Sequence, residues 1–216
     1  MTSRPQIILR TAFDVRKYRN KNDSPVSDND TRKEQYLIGS HSFQKFLPDI
    51  QKYEVIIIDN TVKSVEDIPK EFIALWKNAQ IVCTRTNRFG KFNKGAGDVE
   101  TLRYAFKNKI ITTDFLFYEL RLKTINPGFI RNFLDYPRNL VTLEEDNLSV
   151  RSGYVGFEYS TAQRFYGSTS LISMTVKKKS IENLLLQYWK SNSLEYLPTG
   201  NYTLRFDPSA KQYIFY

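Results

Sequence analysis

The chain has 216 residues, 41% of them hydrophobic, enough to bury one substantial core, and no break in composition divides it, so a single domain over residues 1–216 is expected. Lys and Arg number 32 against 23 Asp and Glu, a formal charge of +9 that favours polyanionic partners such as nucleotide phosphates, nucleic acid or an acidic membrane surface. One cysteine, Cys83, excludes an intramolecular disulfide, and one histidine, His41, leaves no Cys/His cluster for zinc and only one imidazole for a Ser-His-Asp or Cys-His hydrolase.

In chain order, MTSRPQIILR has too short an apolar run for a signal peptide, and no stretch approaches membrane-spanning length, so a soluble cytoplasmic protein is expected. Gln6 to Leu9 is a short buried strand that ends at Arg10. The polar stretch from Arg16 to Glu34 reads as a loop. Phe43, Phe46, Leu47 and Ile50 recur at helical spacing within Ser42 to Lys52, although Pro48 shortens or breaks that helix. Tyr53 to Asp59, YEVIIID, is the clearest strand, and its continuous β-branched run suits the centre of a parallel sheet. A helix over Val65 to Asn78 and a strand over Gln80 to Thr84 follow.

The next segment, TRTNRFGKFNKGAGDVETL from Thr84 to Leu102, joins a basic, glycine-containing loop to a helix start. Gly90, Gly95 and Gly97 permit positive φ and close approach of a ligand, Arg85, Arg88, Lys91 and Lys94 supply four cations with no intervening acid, and the whole reads either as an anion cradle or as a Lys- and Gly-rich surface turn between a strand and a helix. Asp98 stands at the expected helix start, where it either caps free N–H groups or faces a ligand. The spacing matches neither a Walker A loop nor a dinucleotide fingerprint. A helix over Asp98 to Asn108 leads to a strand over Asp114 to Arg121, DFLFYELR. Then come a helix over Phe129 to Leu134 closed by the turn YPRN, a strand-rich piece from Leu148 to Tyr159, a helix over Ser180 to Trp189 with Ser180 as N-cap, and a tail from Tyr202 to Tyr216 that alternates like a strand or hairpin. Alternating strands and helices predict an open, mainly parallel sheet, which binds ligands at the carboxyl ends of its strands. Arg10, Asp59, the loop 85–97, Glu119 and Arg121 are expected to meet there.

In their order, RTAFD (10–14), the strand ending at Asp59, NKGAGDVETLRY (93–104), FYELR (117–121), FIRNFLDYPRNL (129–140), RSGYVGF (151–157) and SIENLL (180–185) resemble small GT-A-like glycosyltransferases of the nucleotide-diphospho-sugar transferase superfamily, found in bacterial surface-glycan loci and in viruses and phages. The resemblance implies an α/β, Rossmann-like open sheet flanked by helices, with a small antiparallel C-terminal portion. It implies that a nucleoside diphosphate sugar, for example a uridine one, contacts Arg10, Thr11, Asp14, Asp59, Lys94, Gly95, Gly97 and Asp98. Where many relatives carry a metal-binding Asp-x-Asp, this chain has Glu119-Leu120-Arg121. Either Glu119 and Asp98 share a Mn²⁺ or Mg²⁺ ion, or Arg121 neutralises the diphosphate without metal; a purely structural Glu119–Arg121 salt bridge is the remaining alternative. Glu182, at a late helix start, takes the position of the base in inverting relatives, which with Glu119 and Arg121 completes the implied catalytic set. Arg138, Gly153 and Tyr154 are implied to line the acceptor or sugar pocket. Three functions are then compatible with the residues: transfer of a hexosyl or pentosyl group to a glycan or similar hydroxyl, the same chemistry on a hydroxymethylated DNA base of phage type, and non-enzymatic nucleic-acid binding, for which no zinc or RNA-binding signature is present.

Overall fold

The computed structural model describes residues 4–15, 29–144, 149–192, 194–197, 200–207 and 212–215. In chain order its elements are β1 (Gln6–Thr11), α1 (Asn29–Phe46), β2 (Glu54–Asp59), α2 (Lys70–Leu75), β3 (Gln80–Cys83), α3 (Lys94–Lys107), β4 (Phe115–Glu119), β5 (Lys123–Thr124), α4 (Gly128–Asp135), β6 (Val141–Thr142), β7 (Tyr154–Phe157), α5 (Tyr159–Ser168), α6 (Leu171–Val176), α7 (Ile181–Ser191), β8 (Tyr196–Leu197), β9 (Thr203–Asp207) and β10 (Gln212–Phe215).

Five strands form the central sheet in the order β3-β2-β1-β4-β7. The first four are parallel and β7 runs antiparallel to β4. Because side chains alternate across a strand, each strand feeds two cores. Ile7, Leu9, Ile57, Leu116 and Tyr118 pack on one face with Tyr36 and Phe43 of α1. Ile8, Ile56, Ile58, Phe115 and Phe117 pack on the other with Val99 and Leu102 of α3 and Leu185 of α7. Burial on both faces is why YEVIIID reads as an unbroken apolar run. A small antiparallel sheet, β10-β9-β5, carries the C-terminal hairpin. The α/β, mainly parallel architecture with an antiparallel C-terminal portion is the one expected. Among the described residues no helix is long and apolar enough to cross a membrane.

Three local expectations change. Helix α1 starts at Asn29, inside the stretch read as a loop; residues 16–28 of that stretch lie outside the described residues. Its buried face is partly polar, with Arg32, Tyr36 and Ser40 inside, so no apolar periodicity announced it. The Val65 to Asn78 helix is instead a 3₁₀ turn over Val65–Asp67 and the short α2, separated at Pro69, which lacks a donor N–H. Helix α3 begins four residues before Asp98, because Asn93 is the cap: its Oδ1 accepts the Ala96 N–H at 3.1 Å. Gly95 and Gly97 therefore lie inside the helix. The positive φ in this region belongs to Arg85, at 54°, and no described glycine has one.

Candidate active site

Strands β2 and β3 lie to one side of β1 and β4 to the other, so the chain reverses its direction of sheet growth between β1 and β4. A crevice forms outside the carboxyl ends of strands at such a switch point. Arg10 and Glu119 are register partners there, and they touch: Arg10 Nη1 donates to Glu119 Oε1 at 3.2 Å. Arg121 Nε donates to the same oxygen at 2.7 Å, and its Nη2 also contacts it. On the other side Arg10 Nε lies 2.5 Å from Asp98 Oδ1, an ion pair without hydrogen-bonding alignment. Asp98 comes from the second turn of α3. Opposite, Ser180 caps the Asn183 N–H at the start of α7, which places Glu182 in the first turn, where its Oε1 accepts the Ser152 hydroxyl at 2.6 Å. The two helix starts approach because position 95 is glycine; a Cβ there would sit 2.8 Å from Ile181 Cβ and 3.2 Å from Met174 Cε. Together these residues line a cleft of about 160 Å³, to which Arg32 of α1 and Arg205 of β9 also contribute.

The electrostatics divide the carboxyls. Burial raises the Asp98 pKa, and the charges of Glu119 and Glu182 raise it further against the pull of Arg10, leaving it at about 7. Burial also opposes ionisation of Glu119, but Arg121 and Arg10 outweigh it and hold that carboxyl at about 2. Desolvation works against the Arg10 cation, and Asp98 and Glu119 more than compensate, so its pKa is raised. For Arg32 burial, with the like charges of Arg121 and Arg10, outweighs the pull of Tyr36 and Glu119 and lowers its pKa. Buried polar groups in proteins are nearly always hydrogen-bonded. Here Arg10, Arg32, Asn60, Asn87 and Asp98 all line this cleft, and the buried Arg10 Nε, Arg32 Nε, Asn60 Oδ1, Asn87 Oδ1 and Asp98 Oδ1 have no hydrogen-bond partner among the described residues.

The cleft brings together Arg10, Lys94, Gly95, Asp98, Glu119, Arg121 and Glu182. Other expected residues are placed elsewhere. Asp59 is fully buried beneath the crevice, where its carboxylate accepts from the Thr11 and Thr61 hydroxyls and from the N–H groups of Phe13, Thr61 and Val62. It ties the loops after β1 and β2 together, and it occupies Thr11 in doing so. Asp14 donates its N–H to Thr61 Oγ1 beside that staple and does not line the cleft. Gly97 packs against Asn87 and Gly90 behind the wall; a Cβ there would meet Asn87 Oδ1 at 2.4 Å. The four-cation loop does not converge. Arg85 Nε donates to the Lys63 carbonyl, Arg88 pairs with Glu100, Lys91 lies over the Phe92 ring, and only Lys94 reaches the cleft.

The expected acceptor-pocket residues do not line the cleft either. Arg138 is held by Glu195 and by the carbonyls of Asn132 and Tyr136 at the end of α4, a favourable place for a cation. The Gly153 carbonyl accepts the Glu119 N–H where β4 and β7 part, and Tyr154 is fully buried against Tyr118. Ser152, just ahead of the strand, is the residue of this segment that faces the cleft. Sequence reasoning missed Arg32, Asn87, Ser152 and Arg205. The residues expected to share a metal ion do not suit one: the Arg10 guanidinium lies against both Asp98 and Glu119, Arg121 engages Glu119 as well, and no group of three or more His, Cys, Asp or Glu that could hold a metal is found among the described residues.

No family model and no curated protein matches the sequence. Solved structures do match the fold. A protein from Desulfovibrio desulfuricans assigned as a nucleotide-diphospho-sugar transferase superposes with a TM-score of 0.54 at 11% identity, covering 90% of this chain and 79% of that one. One from Bacillus anthracis assigned as a glucose-1-phosphate thymidylyltransferase, in complex with sucrose, gives 0.53 at 10% identity, covering 93% and 89%. The galactosyltransferase LgtC, in complex with donor and acceptor sugar analogues, gives 0.51 at 7% identity, covering 88% and 72%. The fold is GT-A-like. Within this GT-A-like chain, Glu119-Leu120-Arg121 closes strand β4 of the central sheet on a carboxylate engaged by two guanidiniums. That pairing distinguishes it from the Asp-x-Asp pattern on which the expectation of a metal rested.

Proposed function

We propose that the chain transfers a sugar from a nucleoside diphosphate sugar to a hydroxyl acceptor. The observation that carries this reading is the convergence, at the switch point of a GT-A-like sheet, of a cationic wall (Arg10, Lys94, Arg121) with a facing carboxylate, Glu182. In this reading the acceptor oxygen attacks the anomeric carbon while the bond from that carbon to the phosphate oxygen breaks. The electron pair leaves with the diphosphate, and the acceptor proton passes to Glu182. Ser152 orients that carboxylate through its 2.6 Å hydrogen bond. Glu119 is a positioning residue, because it aligns Arg10 and Arg121 for the phosphates. Lys94 adds positive charge at the start of α3, whose N–H groups also favour anions.

The test is thermal shift against a panel of sugar nucleotides, followed by product detection with the one that binds. A uridine diphosphate sugar or a related donor is expected to raise Tm, and Arg121→Ala to abolish the rise. Glu182→Gln is expected to retain donor binding and lose about two to four orders of magnitude in kcat, the range for a general base. A panel that leaves Tm unmoved would overturn the reading. The +9 charge supports a polyanionic acceptor as a second reading. Transfer to hydroxymethylated duplex DNA would weaken steeply with salt, whereas transfer to a neutral glycan would not.

A further inference from the structure

Taking the cleft as a donor site, we propose that the pyrophosphate is held by an arginine cluster, Arg10, Arg32, Arg121 and Arg205, in place of a bridging divalent cation, with Arg32 the ligand reserved for it. The first support is Arg32 itself. Its residue is only 6% exposed, it lines the cleft from α1, and its Nε has no hydrogen-bond partner among the described residues. A guanidinium removed from water is costly unless an anion meets it. Glu119 acts on Arg32 through space but is already engaged by Arg10 and Arg121, and Asp98 lies against Arg10. Arg32 is thus a cleft-lining guanidinium whose buried Nε lacks a hydrogen-bond partner among the described residues.

The second support is charge. Five cationic side chains line the cleft (the four arginines and Lys94) against three carboxyls (Asp98, Glu119 and Glu182), an excess of two positive charges while Asp98, whose pKa lies at about 7, is ionised. That excess equals the two negative charges of a nucleoside diphosphate sugar. When the glycosidic bond breaks, the departing diphosphate gains one more negative charge, and guanidinium forks offer paired donors to the phosphate oxygens on which it develops. The third support is the position of Arg10. In a metal-bridged site the strand-end carboxylates turn their oxygens towards a cation. Here Arg10 sits 2.5 Å from Asp98 and 3.2 Å from Glu119, so a guanidinium already occupies the space between them. Asn60 and Asn87 present buried acceptor oxygens, which suit sugar or ribose hydroxyls rather than phosphate.

Calorimetric titration of the full chain with inorganic pyrophosphate and with uridine diphosphate, in EDTA and then in millimolar Mn²⁺ or Mg²⁺, tests this. Both probes are expected to bind in EDTA with Kd unchanged by metal to within about twofold. Arg32→Ala is expected to weaken both by about tenfold or more, since a charge-assisted hydrogen bond is lost. Arg32→Lys, which keeps the charge and loses the fork, should fall between. Arg205→Ala, at an exposed position, supplies a second variant should Arg32→Ala fail to fold, and is expected to weaken pyrophosphate severalfold. Binding that appears only with metal and vanishes in EDTA would overturn the arginine cluster while leaving glycosyl transfer standing. Unchanged affinity in Arg32→Ala and Arg205→Ala would also overturn it. Failure of both probes and of every sugar nucleotide to bind under any condition would overturn the donor site as well.

Discussion

Replacing Glu119 by Gln removes the one carboxylate that Arg10 and Arg121 share, and its consequence can be sized from the site. The carboxyl is held at about 2 against an ordinary 4.5, which corresponds to about 3 kcal/mol at roughly 1.4 kcal/mol per pKa unit. Its side chain is 14% exposed, so solvent screening removes little of this. The sign follows from the depressed value: the folded state holds the ionised form more firmly than the unfolded chain does. The contribution is complete above 4.5 and is lost as pH falls through about 2. Urea unfolding at pH 7 should therefore show Glu119→Gln less stable by about 3 kcal/mol with an unchanged m-value, and the gap should shrink to roughly half by pH 3. The Asp98 pKa should fall in the same variant, because the Glu119 charge helps to hold it up; a carbon-detected titration of the Asp98 carboxyl reads this directly. A gap below about 1 kcal/mol at pH 7, or one that does not vary with pH, would refute the assignment of Glu119 as the shared anion.

Asp98 has the opposite linkage. Its pKa is raised from 3.8 to about 7, so its contribution is complete below 3.8 and is lost as pH rises through 7. Relative to Asp98→Asn, the native chain should lose about 4 kcal/mol between pH 4 and pH 8, and parallel stability curves would contradict this. Gly39→Ala would place a Cβ 1.8 Å from the Leu120 carbonyl oxygen, wedging α1 and its Arg32 away from the end of β4; a loss of about 2 kcal/mol or more is expected in thermal melts. Gly167→Ala, in α5 with nothing within 4 Å, should instead gain about 0.5–1 kcal/mol, the ordinary helix-propensity difference. Ser152→Ala is expected to lower kcat by about tenfold with donor KM unchanged, since it frees Glu182 rather than the phosphate ligands.

The sequence alone was enough for the sheet, because β-branched runs such as YEVIIID and QIIL are dictated by burial on both faces, and for the helix starting at Ser180, whose cap is a local interaction. It was enough to place Arg10, Glu119 and Arg121 at strand ends, since strand direction and connectivity are topological. Tertiary structure alone decided which of these charges face the crevice and which are consumed. Asp59 and Arg10 both stand at strand ends, one residue out of register, and Asp59 turns inward onto five donors while Arg10 turns towards α3. Asp98 could be read either as a cap or as facing a ligand, and Asn93 holds the capping role. Arg32 lay in a polar stretch without periodicity, and Arg205 lies 84 positions beyond Arg121, so neither carried any local signal of sharing a cleft with Glu119. The physical reason is one of range. Backbone hydrogen bonds and apolar periodicity act over a few residues, whereas the pairing of buried charges depends on every element that packs around them.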